Sequence, residues 1–300
     1  MDKLRANLPG RIKVGGKYVG NGEPNFIIAE IGNNHNGEIE LAKKAVILAG
    51  QLGADAVKFQ KREVDEVFIK AMLAQPQTNS RALGKTYGEY RKKQELRDDE
   101  LKELKTLAHS LGMSFFVTPF DIKSAKILAG IGMDCWKIAS FDLHHRDLLE
   151  FVAKQEQPIF FSTGMATLEE MDEAVKTILQ YNKNLIINHC VSIYPTPNAD
   201  LNLGAISMLK ERYAPLPIGY SGHEVGLQTT YAAVVLGACY VERHITLDRA
   251  MWGSDHAASV EPPGFMRLVR DIRVIESAMG DGVKRVYDSE LPVMKRLRRV

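Results

Sequence analysis

Short apolar runs rich in β-branched and aromatic residues recur along the chain: FIIAE (26–30), AVKFQ (56–60), SFFVT (114–118), CWKIAS (135–140), PIFFST (158–163), LIINHC (185–190), PIGYS (217–221) and CYVERHI (239–245). Runs of this length and composition read as strands. Between them lie amphipathic segments with apolar residues near helical spacing, among them Glu38–Leu52, Asp98–Leu111, Ile122–Ile131, Thr167–Gln180 and Leu227–Leu236. Thr167 opens the sequence T-L-E-E, a hydroxyl acceptor followed by an acidic first turn, which marks a helix start. Strand and helix therefore alternate, and eight such pairs predict a closed (β/α)₈ TIM barrel, because an open doubly wound sheet usually stops at fewer strands.

Two additions flank the predicted barrel at 25–285. Residues 10–24, GRIKVGGKYVGNGEP, read as a two-stranded hairpin around Gly15-Gly16, so that 1–24 form a cap for the amino-terminal end of the barrel. Residues 286–300, within the basic stretch KRVYDSELPVMKRLRRV, carry no barrel pattern and read as a tail or linker. The connection from about Glu63 to Glu95 is long and polar, which predicts a helical excursion and a loop over the carboxyl face of the barrel.

Composition narrows the function. Lys and Arg total 39 against 37 Asp and Glu, so no global field draws the chain to nucleic acid or to an anionic membrane surface. The amino terminus carries no signal-peptide pattern and no 18-residue apolar run exists, so a soluble cytoplasmic protein is expected. Cys135, Cys190 and Cys239 sit in apolar runs and read as buried packing thiols.

The carboxyl ends of barrel strands are where chemistry sits, and here they carry Glu30; Lys58 and Gln60; Thr118; Lys137 and Ser140; Ser162 and Thr163; His189 and Ser192; Ser221 and His223; Glu242 and His244. Polar groups at all eight ends cost desolvation unless they are paired or used. Lys58 and Lys137 among the hydroxyls of Thr118, Ser140, Ser162 and Ser221 have the makeup of a site for a phosphate ester. His223 and His244 end neighbouring strands and can converge on one divalent ion, or serve as hydrogen-bonded core histidines. Glu30, Glu242 and Asp255 supply carboxylates that can move protons or hold a polyol.

The stretches AEIGNNHNG (29–37), KFQ (58–60), TPFD (118–121), STGMATLEEM (162–171), HCVSIYPTP (189–197), GYSGHEVG (219–226) and ERHITLDRAMWGSDHAASVEP (242–262) together resemble the sialic acid synthases. GKTYGEYRK (84–92), GYSGHE and GSDHAASVEP are most similar to the animal-type branch, which takes phosphorylated hexosamines. The resemblance implies that Lys58, Thr118, Lys137, Ser140, Ser162, Ser192 and Ser221 bind phosphoenolpyruvate. It implies that Gln60, Asp142, Tyr194 and Asp255 face the sugar, that Glu30 and Glu242 are catalytic, and that His223 and His244 hold a divalent metal, Mn²⁺ first and Mg²⁺ or Co²⁺ as alternatives. The partners implied are phosphoenolpyruvate, a sugar aldehyde and a second copy of the chain in a homodimer.

Departures from the family pattern carry expectations too. Val191-Ser192 follows His189-Cys190 where Thr-Ser or Thr-Asn is common, and Asp142 replaces a bacterial glutamate. The family continues into a carboxy-terminal antifreeze-like domain that lends an arginine to the partner's site, and this chain stops at MKRLRRV, about where that domain begins. Without that arginine the chain is expected either to bind the sugar weakly or to supply a replacement cation, with Lys61, Arg62 and Lys85 and the tail's Lys295, Arg296, Arg298 and Arg299 as candidates. The reaction expected is attack of C3 of phosphoenolpyruvate on a polarised aldehyde, addition of water at C2, and loss of phosphate held by the lysines. Rivals are a different 3-deoxy-2-keto acid synthase, a metal aldolase, or a catalytically silent sugar-binding barrel.

Overall fold

The computed structural model describes residues 7–77 and 84–299. Eight parallel strands form one sheet: β3 (Phe26–Gly32), β4 (Ala56–Lys61), β5 (Ser114–Pro119), β6 (Trp136–Ile138), β7 (Ile159–Ser162), β8 (Leu185–Cys190), β9 (Ile218–Gly222) and β10 (Tyr240–His244). Their order is β5-β4-β3-β10-β9-β8-β7-β6. The two ends of that order, β5 and β6, lie side by side, so the sheet closes into the expected barrel with helices between the strands. The first and last runs of the chain thus meet: β3 pairs with β10, His244 opposite Glu30, while on its other side Glu30 lies opposite Lys58 of β4.

Strand bounds follow the apolar runs to within one or two residues. CWKIAS predicts a strand to Ser140, but β6 ends at Ile138, because Ser140–Asp142 turn into a 3₁₀ helix. Helices begin where caps are available. Thr167 Oγ1 accepts from Glu170 N at 3.3 Å and Glu170 Oε2 accepts from Thr167 N at 2.7 Å, so the helix Leu168–Leu179 starts with its first amides satisfied. Its inward face, Met171, Ala174, Val175 and Ile178, is buried against the barrel. The helix Pro262–Met279 opens on two prolines, where the missing N–H groups would have had no helical partner anyway.

The barrel is filled from below. Phe160 stacks with Phe116 at 5.6 Å and Phe26 at 6.2 Å, and meets the Tyr240 ring edge-on at 4.8 Å. The ring of Tyr240 lies across Gly219, where an added Cβ would come within 2.0 Å of it. The hairpin is present as expected, β1 (Arg11–Val14) antiparallel to β2 (Lys17–Gly20). Ile12, Val14 and Val19 bury into the core, and Lys17 pairs with Asp55 at the start of β4, so the hairpin covers the amino-terminal end. In the basic tail, Leu291–Leu297 form a short helix with no buried residue. Among the described residues no helix is long and apolar enough to cross a membrane.

Candidate active site

Strand alternation sends every second side chain of β4 inward, so Lys58, Gln60 and the following Arg62 share a face while Phe59 and Lys61 point to the helices. On β10 the same alternation brings Tyr240, Glu242 and His244 inside and turns Arg243 out. Arg243 is consumed there: it donates to Glu224 Oε1 at 2.9 Å, to Thr230 Oγ1 at 2.6 Å and to the Glu224 and Gly226 carbonyls. That buried pair ties the end of β10 to the loop after β9, which carries His223. Register places Ser221 beside Glu242 and Gln60 beside Thr118.

The result is a cavity of about 280 Å³ at the carboxyl face, lined by Glu30, Lys58, Gln60, Thr118, Lys137, Ser140, Ser162, Ser192, Tyr194, Ser221, His223, Glu242 and His244. Every strand-end residue assigned to phosphoenolpyruvate, both glutamates and both histidines face this one space. Phe120, Ala139, Phe141, Met165 and Cys190 complete its wall. Cys190, expected to be a packing thiol, touches Ser140 Oγ at 3.2 Å and lines the site. Thr163 and His189 do not line it: Thr163 donates to the Asn188 carbonyl, and His189 Nε2 donates to the Leu201 carbonyl outside the barrel.

The floor is an alternating charge network. Lys58 Nζ lies 2.8 Å from Glu30 Oε2 and 3.5 Å from Glu242 Oε1, and Lys137 Nζ lies 2.9 Å from Glu242 Oε2. All four side chains are nearly inaccessible. Lys58 also donates to Thr118 Oγ1 at 3.2 Å, and Ser221 Oγ to Glu242 Oε1 at 3.2 Å. Burial works to raise the Glu242 carboxyl, but Lys137 and Lys58 outweigh it and hold it down to about 2. Burial wins at Glu30, whose carboxyl lies above the usual range in spite of Lys58. The two buried glutamates thus sit in opposed environments, one carboxyl held down by its lysines and the other raised by burial. Burial works against the charge of Lys58, but Glu242 and Glu30 keep its ammonium above its ordinary value, whereas burial pulls Lys137 below it.

Above the floor the rings of His223 and His244 stand 5.6 Å apart, and Tyr194 covers His223 at 4.1 Å. His223 Nδ1 donates to the Val191 carbonyl at 2.9 Å, which leaves Nε2 as a lone-pair nitrogen. Burial, then His244, push His223 down to about 4, so it is neutral at neutral pH. His244 Nδ1 is buried without a partner. Asp255 is not among the residues that line the cavity; burial works to raise its carboxyl, and His244 with Ser254, Arg91 and Arg62 brings it below the usual value. On the opposite wall, Gly164 N donates to Ser140 Oγ at 2.9 Å, and a Cβ at Gly164 would come within 2.3 Å of Ser192 Oγ. Only glycine leaves room there for both serines.

Some expected residues stand elsewhere. Asp142 does not line the cavity; it is buried beside Asp121 and Arg62, and burial followed by Asp121 pushes its carboxyl up to about 8. Lys61 and Arg62, expected as free cations for the substrate, are both spent. Lys61 donates to the Leu96 carbonyl at 2.8 Å, and Arg62 is enclosed by Gln60, Asn33, Glu95 and the Phe120 ring. The excursion after β4 does lean over the active face, Tyr90 packing on Trp252 of the β10 loop at 4.6 Å. Lys85 is exposed, residues 78–83 lie outside the described residues, and the tail cations are exposed. Asn33, Arg62 and Glu95 are the polar neighbours that sequence reading missed as a group. The parity of Arg62 with Lys58 and Gln60 was a usable signal, whereas nothing local pairs Arg62 with Glu95.

The family described as NeuB family matches this chain over residues 45–284. N-acetylneuraminate-9-phosphate synthase of Mus musculus is 39% identical over 282 residues, 94% of this chain and 79% of that protein. N,N'-diacetyllegionaminic acid synthase of Legionella pneumophila is 39% identical over 280 residues, 91% of this chain and 78% of that one. The crystal structure of N-acetylneuraminic acid synthetase from Leptospira borgpetersenii, in complex with citrate, superposes with a TM-score of 0.83 at 33% identity, covering 98% of this chain and all of that one.

Proposed function

This chain belongs to the NeuB family, and from that premise we propose that it condenses phosphoenolpyruvate with the open-chain aldehyde of an N-acetylmannosamine-like sugar. The product is a nonulosonic, sialic-acid-type 3-deoxy-2-keto sugar acid, with phosphate released. The observation that carries the reading is the buried Lys58–Glu242–Lys137 network in a cavity that His223 and His244 also line.

Glu242 lies against both lysines, and Glu30 against Lys58. A phosphate ester entering between Lys58 and Lys137 exchanges those ion pairs for its own, with Thr118, Ser162 and Ser221 as hydroxyl partners. Glu242 stays ionised throughout and keeps both ammonium groups aimed inward. C3 of phosphoenolpyruvate attacks the aldehyde carbon, and the new alkoxide takes a proton by way of Glu30, whose carboxyl burial holds above the usual range. Water then adds to C2 and gives a proton back to Glu30. The C2–O bond to phosphate breaks as the C2 hydroxyl proton passes to the departing phosphate oxygen, so the keto group forms and phosphate leaves as the hydrogen-phosphate dianion. The lysines stabilise the departing dianion.

A divalent metal, Mn²⁺ first and Mg²⁺ or Co²⁺ as alternatives, belongs to this reading. The residues fit it: His223 Nε2 is bare because Nδ1 is engaged, and His244 Nδ1 has no partner. Among the described residues no group of three His, Cys, Asp or Glu is arranged to hold an ion, so His223 and His244 would be its protein ligands and water or substrate the rest. When bound, the metal supplies Lewis acidity to the aldehyde oxygen. Tyr194 and Gln60, which line the cavity, contact the sugar in this reading, with Asp255 as a further sugar contact that the family resemblance implies. Work in the cytoplasm as a homodimer is part of the proposal and rests on the family resemblance.

The test is a panel of N-acetylmannosamine, its 6-phosphate, mannose 6-phosphate and arabinose 5-phosphate with phosphoenolpyruvate. Phosphate release is expected only when sugar and phosphoenolpyruvate are both present, fastest with a hexosamine, abolished by chelator and restored by Mn²⁺. His223→Ala and His244→Ala are expected to lose turnover while keeping the wild-type melting profile. Preference for arabinose 5-phosphate would assign the chain to another synthase, and indifference to chelation would remove the metal.

A further inference from the structure

Gln60 Nε2 donates to Glu30 Oε1 at 2.8 Å. Its Oε1 faces the other way and accepts from two donors, Arg62 Nη2 and Asn33 Nδ2, the latter at 3.0 Å. An arginine has no acceptor, so the amide atom against Arg62 must be oxygen, and the nitrogen must then face Glu30 and the cavity. Arg62 is itself held on three sides. Glu95 accepts from its Nη1 at 3.3 Å and from its backbone amide at 3.0 Å, Asn33 Oδ1 accepts at 3.3 Å, and Phe120 lies 4.4 Å beneath the guanidinium. The side chain is 3% exposed, and none of these groups belongs to the charge network on the floor.

We infer that Arg62, clamped by Glu95 and Phe120 and joined by Asn33, is a positioning residue that locks the Gln60 amide with its N–H groups toward the active site. The inference deepens the proposed condensation and rests on it for its kinetic consequence. One Nε2 hydrogen is committed to Glu30, which steadies the proton carrier. The other is offered to the cavity, so Gln60 reads its sugar as a donor and selects an oxygen acceptor, a carbonyl or hydroxyl oxygen, at that point. With Arg62 gone, Oε1 keeps only Asn33, itself no longer held by the guanidinium, and Nε2 keeps only Glu30, so the amide loses its charged donor and its orientation loosens.

The experiment is a cycle of Arg62→Lys, Glu95→Gln, Gln60→Met and the double variant Gln60→Met/Arg62→Lys. A lysine keeps the charge but cannot reach Gln60, Asn33 and Glu95 at once. Arg62→Lys should raise the sugar KM on the order of 10-fold, the effect of one lost hydrogen bond, with little change in the phosphoenolpyruvate KM. Glu95→Gln should move the same constant by less. In the Gln60→Met background Arg62→Lys should add nothing, because the effect passes through Gln60. An equal effect in that background, or one on phosphoenolpyruvate instead, overturns the inference. A readout independent of turnover is the Gln60 side-chain amide in ¹⁵N spectra, assigned by its loss in Gln60→Met. Wild type should show a proton protected from exchange, and Arg62→Lys should lose that protection; an unchanged amide overturns the positioning role. If the wild-type protein turns over no sugar, the reaction falls and the amide signal alone decides the role of Arg62.

Discussion

Lys58 touches Glu30, Glu242 and Thr118 at once, and in the proposed reaction it is a ligand of the phosphate both before and during its departure. Lys58→Met should therefore raise the KM for phosphoenolpyruvate on the order of 10-fold and lower kcat as well, leaving the sugar KM less affected. Steady-state kinetics with each substrate varied in turn checks this, and the reverse pattern would put Lys58 against the sugar. Asp142 makes a different prediction. Its carboxyl is buried beside Asp121, Arg62 and, at 3.8 Å, His145, and is pushed up to about 8. A carboxyl raised above its unfolded value weakens the fold as pH climbs from the unfolded pKa to the folded one. Asp142→Asn, which mimics the neutral acid, should thus raise the melting temperature at pH 9, with the advantage shrinking steadily toward pH 5. A gain that is the same at every pH would mean that Asp142 is not titrating. At this scale the strand-end residues were legible from alternation alone, since Lys58, Glu242 and His244 could only point inward once their strands were placed. Asp142 was not, because its direction depends on a 3₁₀ turn that cuts β6 short.

Elements hold the imidazoles in place. The Arg243–Glu224 pair, 1% and 0% exposed, joins the end of β10 to the loop of His223 and to Thr230 of the helix Gln228–Val235. Arg243→Met should cost about 3–5 kcal/mol, because it leaves a buried carboxylate without its cation. The double variant Glu224→Gln/Arg243→Met should recover part of that loss. Denaturant unfolding of the set measures both, and a double variant no more stable than Arg243→Met would show that packing, not charge, binds the two elements. The motif E-R-H announced the inward glutamate and histidine but not the outward arginine's partner, which lies on another strand's loop. The excursion after β4 shows the same limit. Its length and polarity foretold a cover over the active face, while the capture of Arg62 by Glu95 needed the folded path of the chain.

The whole barrel was readable because each of its eight apolar runs is followed by a helical stretch, and closure then follows from strand count and handedness. The hairpin was readable from Gly15-Gly16 between two short alternating runs, and Ile12, Val14 and Val19 confirm its inward face. What pattern could not supply is the balance of charge inside: the cavity floor holds two ammonium groups and two carboxylates with opposite proton affinities. That balance is the basis for the claim that phosphate leaves by cleavage at carbon, with Lys58 and Lys137 taking the dianion. The most direct test is turnover of phosphoenolpyruvate carrying ¹⁸O in the bridging position, with a hexosamine acceptor and Mn²⁺, read by mass spectrometry of both products. The account predicts one released phosphate per sugar acid formed, with the label in the phosphate and an unlabelled keto oxygen drawn from water. Label retained in the sugar acid, or phosphate released without a new carbon–carbon bond, would contradict it.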